Sequence, residues 1–254
     1  MRTPDRRRLL AGGLLAGLPL LGGCDSLSRS SQVQCTLRKA EQVTRRAQRA
    51  LARDALAPEY GEKDISADFR ANGSVDPADA EYRRLKADGF RDYRLQVGGL
   101  VERPLQLSLA ELRRMPSRTQ ITKHDCVEGW TSIGKWKGTR LSAVLRRAGL
   151  RREARFIVFH CFDALDQQPD GERYYESIGL DDAFHEQTIL AWEMNDRPLP
   201  IRHGAPVRLR VERQLGYKHA KYIRRIEAVE SFAHIGRGKG GYWEDRGYDW
   251  YAGI

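Results

Sequence analysis

One cysteine of this chain stands among groups that can do chemistry. Cys126 lies in Lys123-His124-Asp125-Cys126-Val127-Glu128-Gly129-Trp130, directly after a short β-type run, Gln120 to Thr122. A thiol beside Lys and His is placed where a thiolate is stabilised, and a thiolate is a soft ligand that suits a soft metal centre. Taken alone the signal is weak, because a buried structural cysteine is commoner than a ligand. Two other chemistries use the same residues. Cys126 and His124 are the types of a thiol nucleophile and its base. His124, Cys126, His160 and Cys161 are zinc-ligand types, although neither pair has the usual Cys-x-x-Cys or His-x-x-x-His spacing.

The second half of the chain supplies a basic counterpart. Ile189-Leu190-Ala191-Trp192-Glu193-Met194-Asn195-Asp196-Arg197-Pro198-Leu199-Pro200 runs into His203-Gly204-Ala205-Pro206-Val207-Arg208-Leu209, and then into Gly216-Tyr217-Lys218-His219-Ala220-Lys221-Tyr222. Together with Cys-Val-Glu-x-Trp at Cys126, these motifs resemble the molybdopterin domain of the sulfite oxidase family, from about Asp64 to the C-terminus. The cysteine motif is nearest to that of the bacterial protein-methionine-sulfoxide reductase catalytic subunits. The resemblance implies a molybdenum-molybdopterin cofactor with Cys126 as thiolate ligand to the metal. It implies cofactor contacts at His203 and Arg208, where a guanidinium can bind a phosphate bidentately. A second contact strip falls on His219, Ala220 and Lys221. Asn72, in Phe69-Arg70-Ala71-Asn72-Gly73, matches an early contact, and Cys161 falls where relatives place a small polar residue near the cofactor. The function implied is two-electron oxygen-atom transfer. Glu128 and Trp130 after the cysteine favour reduction of a neutral S-oxide or N-oxide. Sulfite-type oxidation by the same centre and a non-enzymatic, metal- or pterin-binding lipoprotein are the alternatives.

Those residues need elements to position them. Tyr93 to Leu100 reads as a strand with a Gly-Gly ending, and Ser108 with Glu111 reads as a capping box before a short helix stopped by Pro116. Leu141 to Ala148 is an amphipathic helix closed by Gly149. Arg155 to Phe162 is a continuous apolar run of buried-strand type, and Thr188 to Glu193, Val207 to Val211 and Tyr222 to Val229 are further strands. Strands outnumber helices without a regular βαβ alternation. The expected fold is α+β with mixed sheets and short helices over residues 61–254, the sulfite oxidase-type molybdopterin-binding domain.

The charge of +10 on 254 residues invites a nucleic-acid reading, which its distribution weakens. Residues 1–23 carry four Arg and one Asp, residues 24–60 seven basic and four acidic residues, and only +4 is left on residues 61–254. Basic side chains there suit an anionic cofactor equally well, and no nucleic-acid motif is present. Residues 1–23 read as a signal peptide: Arg6-Arg7-Arg8, then an apolar Leu9 to Leu21 that is short for a membrane span. The paired arginines also allow twin-arginine export. Leu21-Gly22-Gly23-Cys24 resembles the bacterial lipoprotein cleavage box, with Cys24 as the lipidated residue. Residues 24–60 then form a tether and a basic helix at 36–57, with Leu37, Ala40, Val43, Ala47 and Leu51 at helical spacing. The expected product is a periplasmic monomer held to the membrane by lipid. It carries no Cys-x-x-Cys-His for attached haem, so electrons pass through a separate cytochrome or quinone-linked membrane protein.

Overall fold

A computed structural model describes residues 30–33, 35, 36, 39, 40, 43, 44, 55–166, 168 and 171–254. Met1–Arg53 and Asp54–Ile254 are two separate compact units. In the first, the described positions from 31 to 44 are helical, and Cys35 and Val43 are exposed. The signal segment, Cys24, Leu37, Ala47 and Leu51 lie outside the described residues. The expected helix does not continue to residue 57. Ala55 to Ala57 have no helical structure, because the Ala57 backbone donates to and accepts from the Gln187 side-chain amide, at 2.8 and 3.0 Å.

The second unit holds two five-stranded sheets. In chain order its elements are α1 (Ala80–Ala87), β1 (Arg94–Gly99), β2 (Leu105–Ser108), α2 (Leu109–Arg114), β3 (Ser117–Cys126), β4 (Trp130–Arg140), α3 (Leu141–Ala148), β5 (Phe156–Ala164), β6 (Arg173–Gly179), α4 (Leu180–Ala183), β7 (Ile189–Met194), β8 (Arg197–Pro198), β9 (Arg208–Arg210) and β10 (Ile223–Val229). The first sheet runs β2-β1-β10-β5-β6. Its β1–β10 pair is parallel and the others are antiparallel. The second runs β3-β4-β7-β8 with β9 also on β7, and is antiparallel throughout. The α+β architecture agrees with the sequence, with one sheet mixed and the other not.

Local chemistry explains the boundaries. Ser108 accepts from the Glu111 N–H and Glu111 reaches back to the Ser108 N–H, so both ends of the capping box close. α3 buries Leu141, Val144 and Leu145 and stops at Gly149, whose φ is +70°. Those three side chains join a core with Leu95, Ile157, Phe159, Leu190, Leu209 and Ile226 from both sheets. Each buried aliphatic side chain contributes roughly 1.5–3 kcal/mol, which fixes the sheets as one body. β5 is buried on both faces: Ile157 and Phe159 enter that core, while Val158 packs with Tyr175 and Val229. That is why its sequence is continuously apolar rather than alternating.

Candidate active site

β3 presents Gln120, Thr122 and His124 as a buried row, and Cys126 continues it at the strand end. The chain then turns through Val127-Glu128-Gly129 into β4, with Cys126 facing Trp130 across the hairpin. Gly129 donates its N–H to the Cys126 carbonyl (3.0 Å) at a φ of +83°, which is the left-handed position of a three-residue hairpin loop. Cys126 is half-buried and unbridged. Burial pushes its thiol up, while the Glu128 and Val127 N–H groups and Arg70 pull it down and the Glu128 charge pushes it up again. Lys123 does not activate it. Strand alternation puts Lys123 on the opposite face, where it pairs with Asp125 at 3.0 Å.

β9 brings a second row. Arg208 and Arg210 are fully buried and stand over the Trp136 ring, at 5.0 and 4.5 Å. Arg210 has an anionic partner, Glu212, at 2.9 Å from Nε, and it donates to Nδ1 of His124 at 3.0 Å. Arg208 reaches only backbone carbonyls, of His203 (3.0 Å) and His219 (3.5 Å), and its Nε has no partner. Lys221 is similar. Its ammonium donates to the carbonyls of Asn72 (2.6 Å), Ser74 and Arg202 (3.2 Å).

The electrostatics of this cluster are those of a site short of negative charge. Burial, then Arg210, lowers the Arg208 guanidinium to about 9. Burial and Arg208 also depress Lys221, against the pull of Asp163. His203 falls to about 3 through burial, Arg208, Arg202 and Lys221. His124 and His219 are held well below the usual imidazole range by burial and by their cationic neighbours. Nε2 of His124, Nδ1 of His203 and Nδ1 of His219 are buried without hydrogen-bond partners. Unpaired buried polar atoms are costly. Unpartnered imidazole nitrogens and buried cations together fit a phosphate-bearing, pterin-type ligand.

A cleft of about 650 Å³, open mouth included, joins several of these residues. Its polar lining is Asn72, Ser74, Asp163, His219 and Lys221, tied together by the Lys221 contacts and a 2.5 Å bond from Ser74 Oγ to Asp163. Cys126, Val127 and Glu128 form the turn beside it, and Tyr174, Tyr217, Trp243 and Tyr248 are aromatic lining.

Of the residues singled out by sequence, Asn72, Cys126, His219 and Lys221 line this cleft. Arg208 is buried next to it, donating to the carbonyls of His219 and of the buried His203. Ala220 is buried, with its N–H on the Lys218 carbonyl (3.2 Å) and its carbonyl on the Leu209 N–H (2.8 Å). Cys161 packs in the main core, not in the cleft lining. No three His, Cys, Asp or Glu side chains among the described residues converge as a metal-binding set, so the zinc alternative is not assembled. His160 instead pairs with Glu227 at 2.8 Å. The nucleophile pair is not made either: Nδ1 of His124 faces Arg210, and Nε2 has no partner.

Sequence reading missed Arg210, Glu212, Asp163 and the aromatic lining. Arg-x-Arg-x-Glu on β9 and after it was a usable signal, since alternate charged residues in a strand otherwise apolar at Val207, Leu209 and Val211 must find partners inside. Trp243 and Tyr248 gave none, because their place depends on how the C-terminal segment returns to β6.

Comparison with known proteins agrees with this geometry. Residues 83–234 match the family described as the oxidoreductase molybdopterin binding domain. A chain of Azospira oryzae with the provisional name of a protein-methionine-sulfoxide reductase subunit is 36% identical, over 100% of this chain and 89% of its own. The protein-methionine-sulfoxide reductase catalytic subunit of Xanthomonas axonopodis pv. citri is 33% identical, over 89% of this chain and 70% of its own. Rat mitochondrial sulfite oxidase is 36% identical, over 61% of this chain and 31% of its own. The solved sulfane dehydrogenase SoxCD of Paracoccus pantotrophus superposes on 56% of this chain and 39% of its own, with a TM-score of 0.49 and 25% identity. The chain belongs to the molybdopterin-binding oxidoreductases of the sulfite oxidase family.

Proposed function

We propose that the chain reduces an uncharged S-oxide or N-oxide at a molybdenum held by the Cys126 thiolate. One observation carries this reading: Cys126 lines the same cleft as His219 and Lys221, with the Glu128 carboxylate beside it. When bound, the molybdenum cofactor would supply the two-electron reduction that oxygen-atom removal requires. For a sulfoxide the balance is R2SO + 2 electrons + 2 protons → R2S + water. Cys126 loses its proton to become the ligand. Arg208 and Lys221 would hold the anionic end of the cofactor, and the unpartnered nitrogens of His203 and His219 would be available to its polar groups. Glu128 disfavours a dianionic substrate by like-charge repulsion. It also accepts from Trp130 Nε1 at 2.9 Å, which holds its carboxylate at the turn.

The names of the Xanthomonas and Azospira relatives, both protein-methionine-sulfoxide reductase subunits, support the sulfoxide. A second reading, sulfite-type oxidation, is favoured by Arg70, whose positive charge acts on Cys126 and whose guanidinium lies 5.6 Å from the Trp130 ring. The deciding experiment loads one preparation with molybdenum cofactor. It then compares kcat/KM for a neutral sulfoxide, with an artificial electron donor, against kcat/KM for sulfite with an artificial acceptor. A higher value for the sulfoxide is expected; a clear preference for sulfite overturns it. In the same assay Cys126→Ala is expected to fold but to hold little molybdenum or to be inactive.

In the cell the protein is proposed to act in the periplasm as a lipid-anchored monomer, fed by a separate cytochrome or quinone-linked membrane protein. The support is the sequence around Cys24. Cys24→Ala is expected to move the protein from the membrane to the soluble fraction. Mature protein without a lipid mass at its N-terminus overturns the anchor.

A further inference from the structure

The sequence suggests Trp130 as the apolar surface for the substrate, yet Trp130 does not line the cleft. Four other rings do, and they come from places far apart in the chain. Tyr174 is on β6, Tyr217 lies in the turn Gly216–Lys218, and Trp243 and Tyr248 belong to the C-terminal segment. Ring contacts make them one continuous surface. Trp243 stacks on Tyr248 (centroids 5.2 Å apart, 26°), and Tyr217 meets Tyr248 edge-on (5.2 Å, 84°). Tyr242 links Trp243 to Tyr174, edge-on at 5.5 Å and stacked at 5.5 Å.

The segment carrying Trp243 and Tyr248 is firmly tied down. Asp245 accepts from the Tyr175 hydroxyl (2.6 Å) and the Arg237 N–H (2.8 Å), and Glu244 is bound by the buried Lys218 ammonium. The Tyr248 N–H donates to the Trp243 carbonyl (3.1 Å), and the Tyr217 hydroxyl donates to the Asp249 carbonyl (2.7 Å). So the two rings are held in place, and yet Tyr248 remains 39% exposed. A fixed, stacked and partly exposed aromatic pair in the lining of a cleft leaves a ring surface open to an apolar group.

We propose that Trp243 and Tyr248 are specificity-determining residues that receive an apolar substituent of the substrate sulfur oxide. Val127, 44% exposed in the same lining, completes the apolar edge on the cysteine turn. Ring faces attract polarisable sulfur and flat apolar groups, and they offer nothing to a small hydrated anion. The substrate class is therefore an uncharged sulfoxide with at least one bulky or flat apolar arm. This rests on the S-oxide reading above.

The test uses molybdenum-loaded full-length protein with methyl phenyl sulfoxide and dimethyl sulfoxide as the two probes. Trp243→Ala and Tyr248→Ala are each expected to raise KM for methyl phenyl sulfoxide about tenfold, the effect of one lost ring contact. They are expected to leave its kcat, and the KM for dimethyl sulfoxide, within about twofold. Trp243→Phe and Tyr248→Phe keep a ring and restore most of the difference. Molybdenum content, measured in every variant, separates a specificity effect from loss of the site. Equal changes for both sulfoxides, no change for either, or a fall in kcat with KM unchanged overturns the aromatic surface while leaving S-oxide reduction standing. A wild-type protein that reduces neither probe overturns the S-oxide reading, and the inference with it.

Discussion

Arg210 donates to Nδ1 of His124 across 3.0 Å, two residues before Cys126 on the same face of β3. A guanidinium has only donors, so Nδ1 must accept and the His124 proton sits on Nε2, which has no partner. Gly216 makes room for this ring: a Cβ there would stand 2.6 Å from Nε2. The strip from β9 thus sets the tautomer and position of a side chain next to the candidate ligand.

Arg210 and Glu212 are both fully buried and paired, and Gln120 Nε2 also donates to Glu212 at 2.7 Å. Arg210→Met leaves a buried carboxylate without its cation, which costs about 3–5 kcal/mol. That is a large share of a typical stability of about 5–15 kcal/mol. Urea unfolding of Arg210→Met is expected to show the full loss, and the double variant Arg210→Met with Glu212→Leu to recover most of it. Equal stability of the single variant and the wild type would refute the pairing.

Arg208 has no anionic partner of its own, whereas Arg151 is exposed and donates to the Val101 carbonyl at 3.1 Å. A charged hydrogen bond in a buried site is worth roughly 1.5–3 kcal/mol. Arg208→Ala is therefore expected to lose most of its bound molybdenum on dialysis, and Arg151→Ala almost none. Metal analysis of the two proteins decides it, and equal retention removes Arg208 from the cofactor site.

Gly129 stands at a φ of +83° with open space around its missing Cβ. Gly129→Ala therefore meets only backbone strain, about 1–2 kcal/mol, or roughly 2–8 °C in Tm for a domain of this size. Because the turn aims Cys126, molybdenum content is expected to fall as well. An unchanged Tm would show that the hairpin turn tolerates a side chain there.

His203 is lowered to about 3, first by burial and then by Arg208, Arg202 and Lys221. The unfolded chain holds this proton below about 6.5 and the folded chain does not. Stability from this group is therefore present above about 6.5 and is lost as pH falls towards 3. In cofactor-free protein, the plot of unfolding free energy against pH between 6.5 and 4.5 is expected to be flatter for His203→Gln than for the wild type. Parallel curves would show that His203 is charged in the folded protein.

What the sequence determined by itself is local. The capping box at Ser108 and Glu111, the Gly149 stop of α3 and the apolar run of β5 are all set by neighbours a few residues away. The fold class followed from those elements, and the molybdopterin family from the resemblance of the motifs around Cys126, His203, Arg208 and Lys221 to that family's. β4 was not legible, because Trp130 to Arg140 mixes Lys, Gly and Arg with its inward residues, and its pairing with both β3 and β7 makes it a strand. The site was decided by tertiary structure. Its charge imbalance exists only because β9 is paired to β7 and buried. The ring surface exists only because the C-terminal segment is bound to β6 and Lys218. Long-range burial turns ordinary arginines and tyrosines into a cofactor cradle and a cleft wall, and no short window of sequence contains that information.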